Sequence, residues 1–386
     1  MNKAVKIVLT ILNLGVLTFL SLFSIFIFGF GGEGFYIILT MVVYFLMGTL
    51  IPLSIFGVVR GKRAWLLWGG LLAGIILASA VRESVRAYHN SFERFDEYRV
   101  DLTAYMPFAA DTKAARTDQP STLRLTDSLP RLDGATALYP IYAAFAQAVY
   151  PEKEYDPWRD SEVMCSTTAD AYEALVEGRA DIIFVLQPSE EQLQYAETGG
   201  VEMVFTPIGR EAFVFFVNAK NPVSGLSVGL LQDIYSGRIT NWQEVGGKNW
   251  KIRAFQRETG SGSQTAFLEF MQGSEIMEPP QNDVVHGMGG IIERTASYAN
   301  YPNAIGYTFR FYAESMVGND GIKLLAIEGI YPERETIGSG QYPLTSYFYA
   351  VTRASETNPN VARVIEWICS DQGQELVEKT GYNPLL

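Results

Sequence analysis

Three uninterrupted apolar runs open the chain. Residues 7–32, 35–59 and 64–81 contain no charged side chain. Crossing the hydrocarbon core of a bilayer takes roughly 20 apolar helical residues, so each run is predicted to be a transmembrane helix. Trp65 and Trp68 stand at one end of the third run, where interfacial aromatics belong. A cleaved signal peptide does not fit, because the first run is too long and two more follow it. From residue 123 the pattern changes to short segments of alternating period. Predicted strands fall at 123–125, 180–185, 212–217 and 252–255. Predicted helices fall at 140–149, 169–177, 230–235, 361–369 and 372–380. Pro140 suits a first helical turn, and Gly178 and Gly237 suit helix ends. Alternating strands and helices define an α/β fold.

Charge sets an orientation for the helices. Lys3 and Lys6 precede the first run, and Arg60, Lys62 and Arg63 fill the second loop, while the first loop carries only Glu33. Basic residues stay on the cytoplasmic side. The N-terminus is therefore expected in the cytoplasm of a bacterial cell and the C-terminal domain outside the cytoplasmic membrane, with Arg82 and Arg86 running against the trend. The expected division is a membrane domain over 1–82, a linker over 83–121 and a soluble domain over 122–386. Residues 109–121, small and polar with one proline, read as the exposed part of that linker.

The net charge of −12 argues against nucleic acid as a partner. Two cysteines, Cys165 and Cys369, make neither a disulfide framework nor a metal cluster; whether they pair stays open. Two histidines, His89 and His286, leave little material for acid–base catalysis or a metal site. No cofactor or metal is expected.

One loop carries a distinct chemistry. Residues 257–264 place Arg257 before a run of glycines and serines, Gly260, Ser261, Gly262 and Ser263, followed by an apolar helical stretch. Glycine lets the backbone approach a ligand, and a helix start leaves N–H groups unpaired. Together they favour an anion, and the Arg257 guanidinium offers a fork of donors. Thr136 with Ala137, and Thr167 with Thr168, form two further turns that open helices. Each hydroxyl is also an ordinary helix cap, so neither turn decides the matter alone.

The order of motifs narrows the reading. Asp133, Gly134, Ala135 and Thr136 come first, followed by Gly178, Arg179, Ala180 and Asp181. A long block over 234–263 then runs from Ile234, Tyr235, Ser236 and Gly237 through Thr240, Asn241 and Trp242 to the Arg257 loop. Gly306 with Tyr307, Tyr342 with Pro343, and Gly381 with Tyr382 close the series. From about residue 123 to 386 the chain resembles the phosphate-binding proteins of ABC phosphate importers. The resemblance implies a two-lobed type II periplasmic-binding-protein-like ectodomain, preceded here by three transmembrane helices. Lobe I is expected over about 122–206 and 315–386, lobe II over about 212–310, with hinges near 207–211 and 309–314. It further implies ligand contacts from Thr136, Ala137, Thr168, Arg257, Thr259, Ser261, Gly262 and Ser263. The expected partners are inorganic phosphate or a related oxyanion, the lipid bilayer and an ABC importer permease.

Three positions depart from the family pattern. Thr259 stands where some members carry an acid, Leu186 where a polar residue is expected, and Gln264 where members often carry a second Arg. A carboxylate selects a protonated oxyanion and repels an ionised one, whereas a hydroxyl donates and accepts. Weaker or less selective phosphate binding is therefore expected. Receptor function without chemistry is the leading expectation. A ligand-sensing or accessory ectodomain signalling through its membrane helices, with a degenerate anion site, is the alternative, since three spans exceed what an anchor needs. A serine hydrolase is disfavoured, because Ser261 does not sit in a nucleophile elbow.

Overall fold

The computed structural model describes residues 2–30, 34–91, 94–95, 101–257, 260–278, 298–317 and 321–385. Glu258, Thr259 and His286 lie outside them. Two compact units emerge, one holding the first three helices and the other beginning at Arg94.

The first unit is built from α1 (Lys3–Phe30), α2 (Gly34–Phe56) and α3 (Lys62–Asn90). All three are long and apolar enough to cross a membrane, over Lys3–Phe28, Gly34–Phe56 and Trp65–Tyr88. Lys6 lies 6.0 Å from the Phe56 ring, which brings the start of α1 to the end of α2 and to the basic loop after it. Helix α3 runs past Val81, where its apolar run stops, because Arg82, Glu83, Arg86 and Ala87 are good helix formers. Tyr36 on α2 donates to Glu83 at 2.6 Å.

The second unit is a two-lobed α/β fold. Its strands are β1 (Arg94–Phe95), β2 (Leu132–Gly134), β3 (Ile182–Val185), β4 (Met203–Asn218), β5 (Gly225–Leu226), β6 (Arg253–Ala254), β7 (Tyr298–Ala299), β8 (Ala304–Phe309), β9 (Ile322–Leu324), β10 (Ala326–Ile327) and β11 (Thr345–Arg353). Its helices are α4 (Tyr139–Val149), α5 (Thr168–Val176), α6 (Glu190–Thr198), α7 (Val228–Tyr235), α8 (Gly262–Phe270), α9 (Arg334–Gly338), α10 (Pro359–Ile368) and α11 (Asp371–Thr380). The main sheet runs β2-β3-β11-β4-β8-β6, with β9 also paired to β4.

In lobe I the period-2 alternation of β3 feeds two faces. Ile183 and Val185 pack against Ala171, Tyr172 and Leu175 of α5. Phe184 points the other way, its ring 4.9 Å from Tyr142 and 6.0 Å from Phe145 on α4. Helix α4 is apolar all round and almost wholly buried, as such a helix must be. Lobe II is closed by an aromatic cluster. Phe213 and Phe215 on β4, Tyr235 on α7, Phe267 and Phe270 on α8 and Tyr307 on β8 stack together, with Phe267 and Tyr307 nearly parallel at 4.4 Å.

Strand β4 belongs to both lobes. Residues 203–212 pair with β11, and Phe213 to Val217 pair with β8. The expected strand at 212–217 is therefore only the second half of a 16-residue strand. Pro207 lacks an N–H, and the register of β11 shifts opposite it, between Phe348 and Tyr349. Two boundaries differ from the sequence reading. Strands β9 and β10, within the stretch assigned to lobe I, pair with β4 and β5 in lobe II. The chain thus returns to lobe I only between Ile327 and Thr345. Residues 123–125 form no strand; Leu123 and Leu125 are buried as part of a strap.

That strap takes in residues 101–121 of the stretch read as linker. Gln147 on α4 accepts from the Phe108 N–H at 3.0 Å and donates to the Ala114 carbonyl at 3.3 Å. Glu375 accepts from the Asp118 N–H, Gln372 accepts from the Thr122 N–H, and Lys379 pairs with Asp118 at 2.5 Å. Much of the strap is exposed, as its composition implies, but it is hydrogen-bonded to α4 and α11 along its length.

Glu211 sits at the midpoint of the crossing, fully buried beside Arg310 and Phe311. Burial pushes its carboxyl up to about 7, against Arg310 and the N–H groups of Ala212 and Phe311, which favour the charged form. The folded protein thus holds this proton more tightly than the unfolded chain does. Its contribution to stability is full below the unfolded value of 4.5 and is lost as pH rises through about 7. Replacing Glu211 by Gln is expected to flatten the fall of the thermal midpoint across that window. Parallel profiles for the two proteins would contradict it.

Candidate functional site

Three helix starts meet between the lobes. The first follows β2. A side chain at Gly134 would collide with the Phe184 carbonyl, so only glycine allows β2 to lie this close to β3. The chain then turns through Thr136–Leu138, a 3-10 turn, into α4. The Ala137 carbonyl of that turn accepts from the Tyr382 hydroxyl, and Tyr382 stacks on Phe311 at 4.2 Å. Tyr382 thereby ties the first turn to Phe311.

The second start is Ser166 to Thr168 at the head of α5. Asp133 ties it to the first. Its carboxylate accepts from the Gly134 N–H at 2.7 Å, the Ser166 N–H at 2.8 Å and the Ser166 hydroxyl at 2.6 Å. Burial raises the Asp133 carboxyl, and these bonds offset part of the rise. Thr167 has φ 83 and ψ 172, a region that a β-branched residue enters only under strain. Cys165 lies buried behind this turn, and burial pushes its thiol up to about 12. It is a free thiol, as is exposed Cys369.

The third start belongs to lobe II. Gly260 has φ 87, Ser261 caps α8 by accepting from the Gln264 N–H at 3.2 Å, and Gly262 and Ser263 begin the helix. A side chain on Gly262 would meet the Thr168 hydroxyl at 3.3 Å and Leu186 at 3.6 Å, so the second and third turns face each other closely. Gln192 on α6 donates to the Gly260 carbonyl at 3.3 Å, a direct bond across the cleft.

These turns enclose a cavity of about 180 Å³. Thr136, Ala137, Thr168, Ser261, Gly262 and Ser263 all line it, so six of the eight expected contacts are brought together. Thr259 lies outside the described residues. Arg257 is displaced from the group: it borders a smaller neighbouring cavity of about 20 Å³, which shares Thr308 with the first. Its N–H is held by Gln264 at 2.9 Å and by the Tyr307 hydroxyl at 3.0 Å. Gln264, expected as a gap in the anion shell, is instead buried as a brace: its side-chain oxygen takes both that N–H and the Tyr307 hydroxyl.

Sequence reasoning passed over Asp170, and it named Asp133 and Thr167 only as parts of turns, not as cleft residues. The Asp133 signal was the acid at a strand end before a Gly–Ala–Thr turn, though its partner Ser166 lies 33 residues away. Asp170 lines the cavity from the first turn of α5. Elsewhere the ordinary readings stand. Trp242 is buried, its indole donating to the Asn303 carbonyl at 2.8 Å. Asp181 pairs with Arg131 and Arg353 at 2.7 and 3.2 Å.

Two lobes joined by a crossing strand, with helix starts aimed into the cleft, define a two-lobed binding-protein fold. The profile of the PBP superfamily domain matches residues 113–372, and the chain belongs to that family. Two relatives are phosphate-binding proteins PstS. The one from Bacillus subtilis is 26% identical over 295 residues, covering 74% of this chain and 92% of its own. The one from Borreliella burgdorferi is 29% identical over 192 residues, covering 48% of this chain and 66% of its own. A solved structure described as an ABC transporter substrate-binding protein with bound phosphate, from Clostridium perfringens, shares the fold. Its TM-score is 0.50 at 24% identity, covering 66% of this chain and 98% of its own.

Two outcomes are expected from this geometry. Replacing Gln264 by Leu leaves the Tyr307 hydroxyl proton without its acceptor and the Arg257 N–H with the Tyr307 oxygen alone, at a cost of about 1–3 kcal/mol read by denaturant unfolding. Replacing Thr167 by Gly relieves strain of about 1–3 kcal/mol against roughly 0.5–1 kcal/mol of added chain entropy. The second variant is therefore expected to be more stable than the natural protein; a lower thermal midpoint would refute the strain assignment.

Proposed function

We propose that the chain is a membrane-anchored receptor that captures inorganic phosphate or a related oxyanion outside the cytoplasm and presents it to an ABC importer permease. No bond is made or broken. The observation that carries the reading is the convergence of three helix starts on one cavity between two lobes, in a member of a binding-protein family whose relatives are phosphate-binding proteins. First-turn N–H groups and helix dipoles at each start favour negative charge, and the hydroxyls of Thr136, Thr168, Ser261 and Ser263 add donors. Arg257 and Thr259 complete the shell when the lobes close on the anion. The basic residues at the start of α1 and between α2 and α3 support a cytoplasmic N-terminus and an extracytoplasmic C-terminal domain.

Asp170, which lines the cavity, gives the site a carboxylate acceptor where Thr259 has only a hydroxyl. Its carboxylate repels a fully ionised sulfate and accepts the proton of hydrogen phosphate. The site then discriminates better than its departures at Thr259 and Gln264 imply.

Titration calorimetry on the full-length chain in detergent tests both points. Phosphate is expected to bind, and Ser263→Ala to weaken it about tenfold to a hundredfold, the range for a hydrogen bond to a charged group. Asp170→Asn is expected to raise sulfate affinity relative to phosphate. No heat and no thermal shift with any oxyanion would remove the receptor reading.

A further inference from the structure

The cleft does not end at the oxyanion cavity. A second cavity of about 220 Å³ adjoins it, and Leu186 and Gly262 line both. The partition between them is thin. Gly262 has no side chain, and the side chain of Leu186 is apolar and offers no hydrogen bond to an oxygen.

The two chambers differ in chemistry. Phe213, Ala266, Phe270 and Leu344 supply apolar wall to the second. Ser346, which also lines it, has a buried hydroxyl without a hydrogen-bond partner among the described residues. Glu269 is the one charged residue among its described lining.

Leu186 sets a problem for a bare tetrahedral anion. An oxygen placed against it loses water and gains no donor, a cost of roughly 1–3 kcal/mol by mutational measures. The carbon of a phosphonate, or the weakly hydrated ester oxygen of a phosphate monoester, loses far less at the same vertex, and the group it carries is directed towards the second chamber. We propose that the cleft binds phosphate monoesters and phosphonates, with the three free oxygens among the helix starts and the organic substituent lodged past Leu186 in the second cavity. The proposal rests on the oxyanion reading of the first cavity and deepens it. Water occupies about 30 Å³ per molecule in the liquid, so the second cavity has room for a substituent of several heavy atoms. The Ser346 hydroxyl suits a polar group on that substituent. The Glu269 carboxylate favours a cationic one and disfavours a second anion.

Calorimetry on the full-length chain in detergent separates the cases, with inorganic phosphate, 2-aminoethyl phosphate and phenylphosphonate as ligands. 2-Aminoethyl phosphate is expected to bind at least threefold more tightly than inorganic phosphate. Ala266→Trp, which fills the second chamber from α8, is expected to weaken both organic ligands at least tenfold while leaving inorganic phosphate within twofold. Ala266→Leu serves the same purpose with less bulk. Binding of inorganic phosphate alone, or equal losses for all three ligands in both variants, overturns the proposal and leaves the receptor reading intact. Failure of every ligand, inorganic phosphate included, overturns both.

Discussion

The fold depends on one strand serving two sheets. Strand β4 pairs with β11 in lobe I, across one register shift, and with β8 in lobe II. Buried backbone groups must be paired, so neither lobe can discard its half of β4 without exposing a row of unpaired donors and acceptors. The lobes are thus held in one frame, and a cleft between them is the geometric result. Glu211, buried where the strand changes sheets, puts an ionisable group at the point of greatest constraint. Arg310 and Tyr382 gather there too, and Tyr382 reaches on to the Ala137 carbonyl of the first cleft turn.

The cleft achieves its character with few formal charges. Its donors are backbone N–H groups and hydroxyls fixed by buried carboxylate and amide braces. Asp133 fixes two turns to each other and Gln264 fixes the third, so the donors are arranged before any ligand arrives. Preorganised donors lose little freedom on binding, which suits a mostly neutral site to the proposed anion. The −12 net charge of the chain does not conflict with this, because the local dipoles act at contact distance while distant charges are screened.

Much of this was legible in the residues. The apolar runs placed the three long helices, Pro140 placed the start of α4, and the Ser/Thr turns placed the three helix starts. Local chemistry decides these features, so a local reading finds them. The failures came where partners are distant. Nothing near Gln264 in sequence shows that it bonds the Tyr307 hydroxyl, and so it looked like a missing ligand. Arg257 was expected in the cavity by its position before the turn, but its backbone is bound to Gln264 and Tyr307 and it borders the neighbouring cavity. The first half of β4 went unread because its residues are mixed in polarity; they become a strand by pairing with β11, some 140 residues on.

The strap has a consequence in time. Thr122 is bound to Gln372, 250 residues later, and Asp118 to Lys379, 261 residues later. A chain made from its N-terminus holds the strap long before it holds α11. Lobe II, whose strands and helices fall between Phe213 and Ile327, has all of its parts first. Lobe I lacks β11, α10 and α11 until the last stretch of the chain has been made. Its early segments, including two of the three cleft turns, must wait beside a finished neighbour. The module is therefore completed last by the two ends of its sequence, and the binding cleft exists only once the final helix has locked onto Asp118 and Thr122.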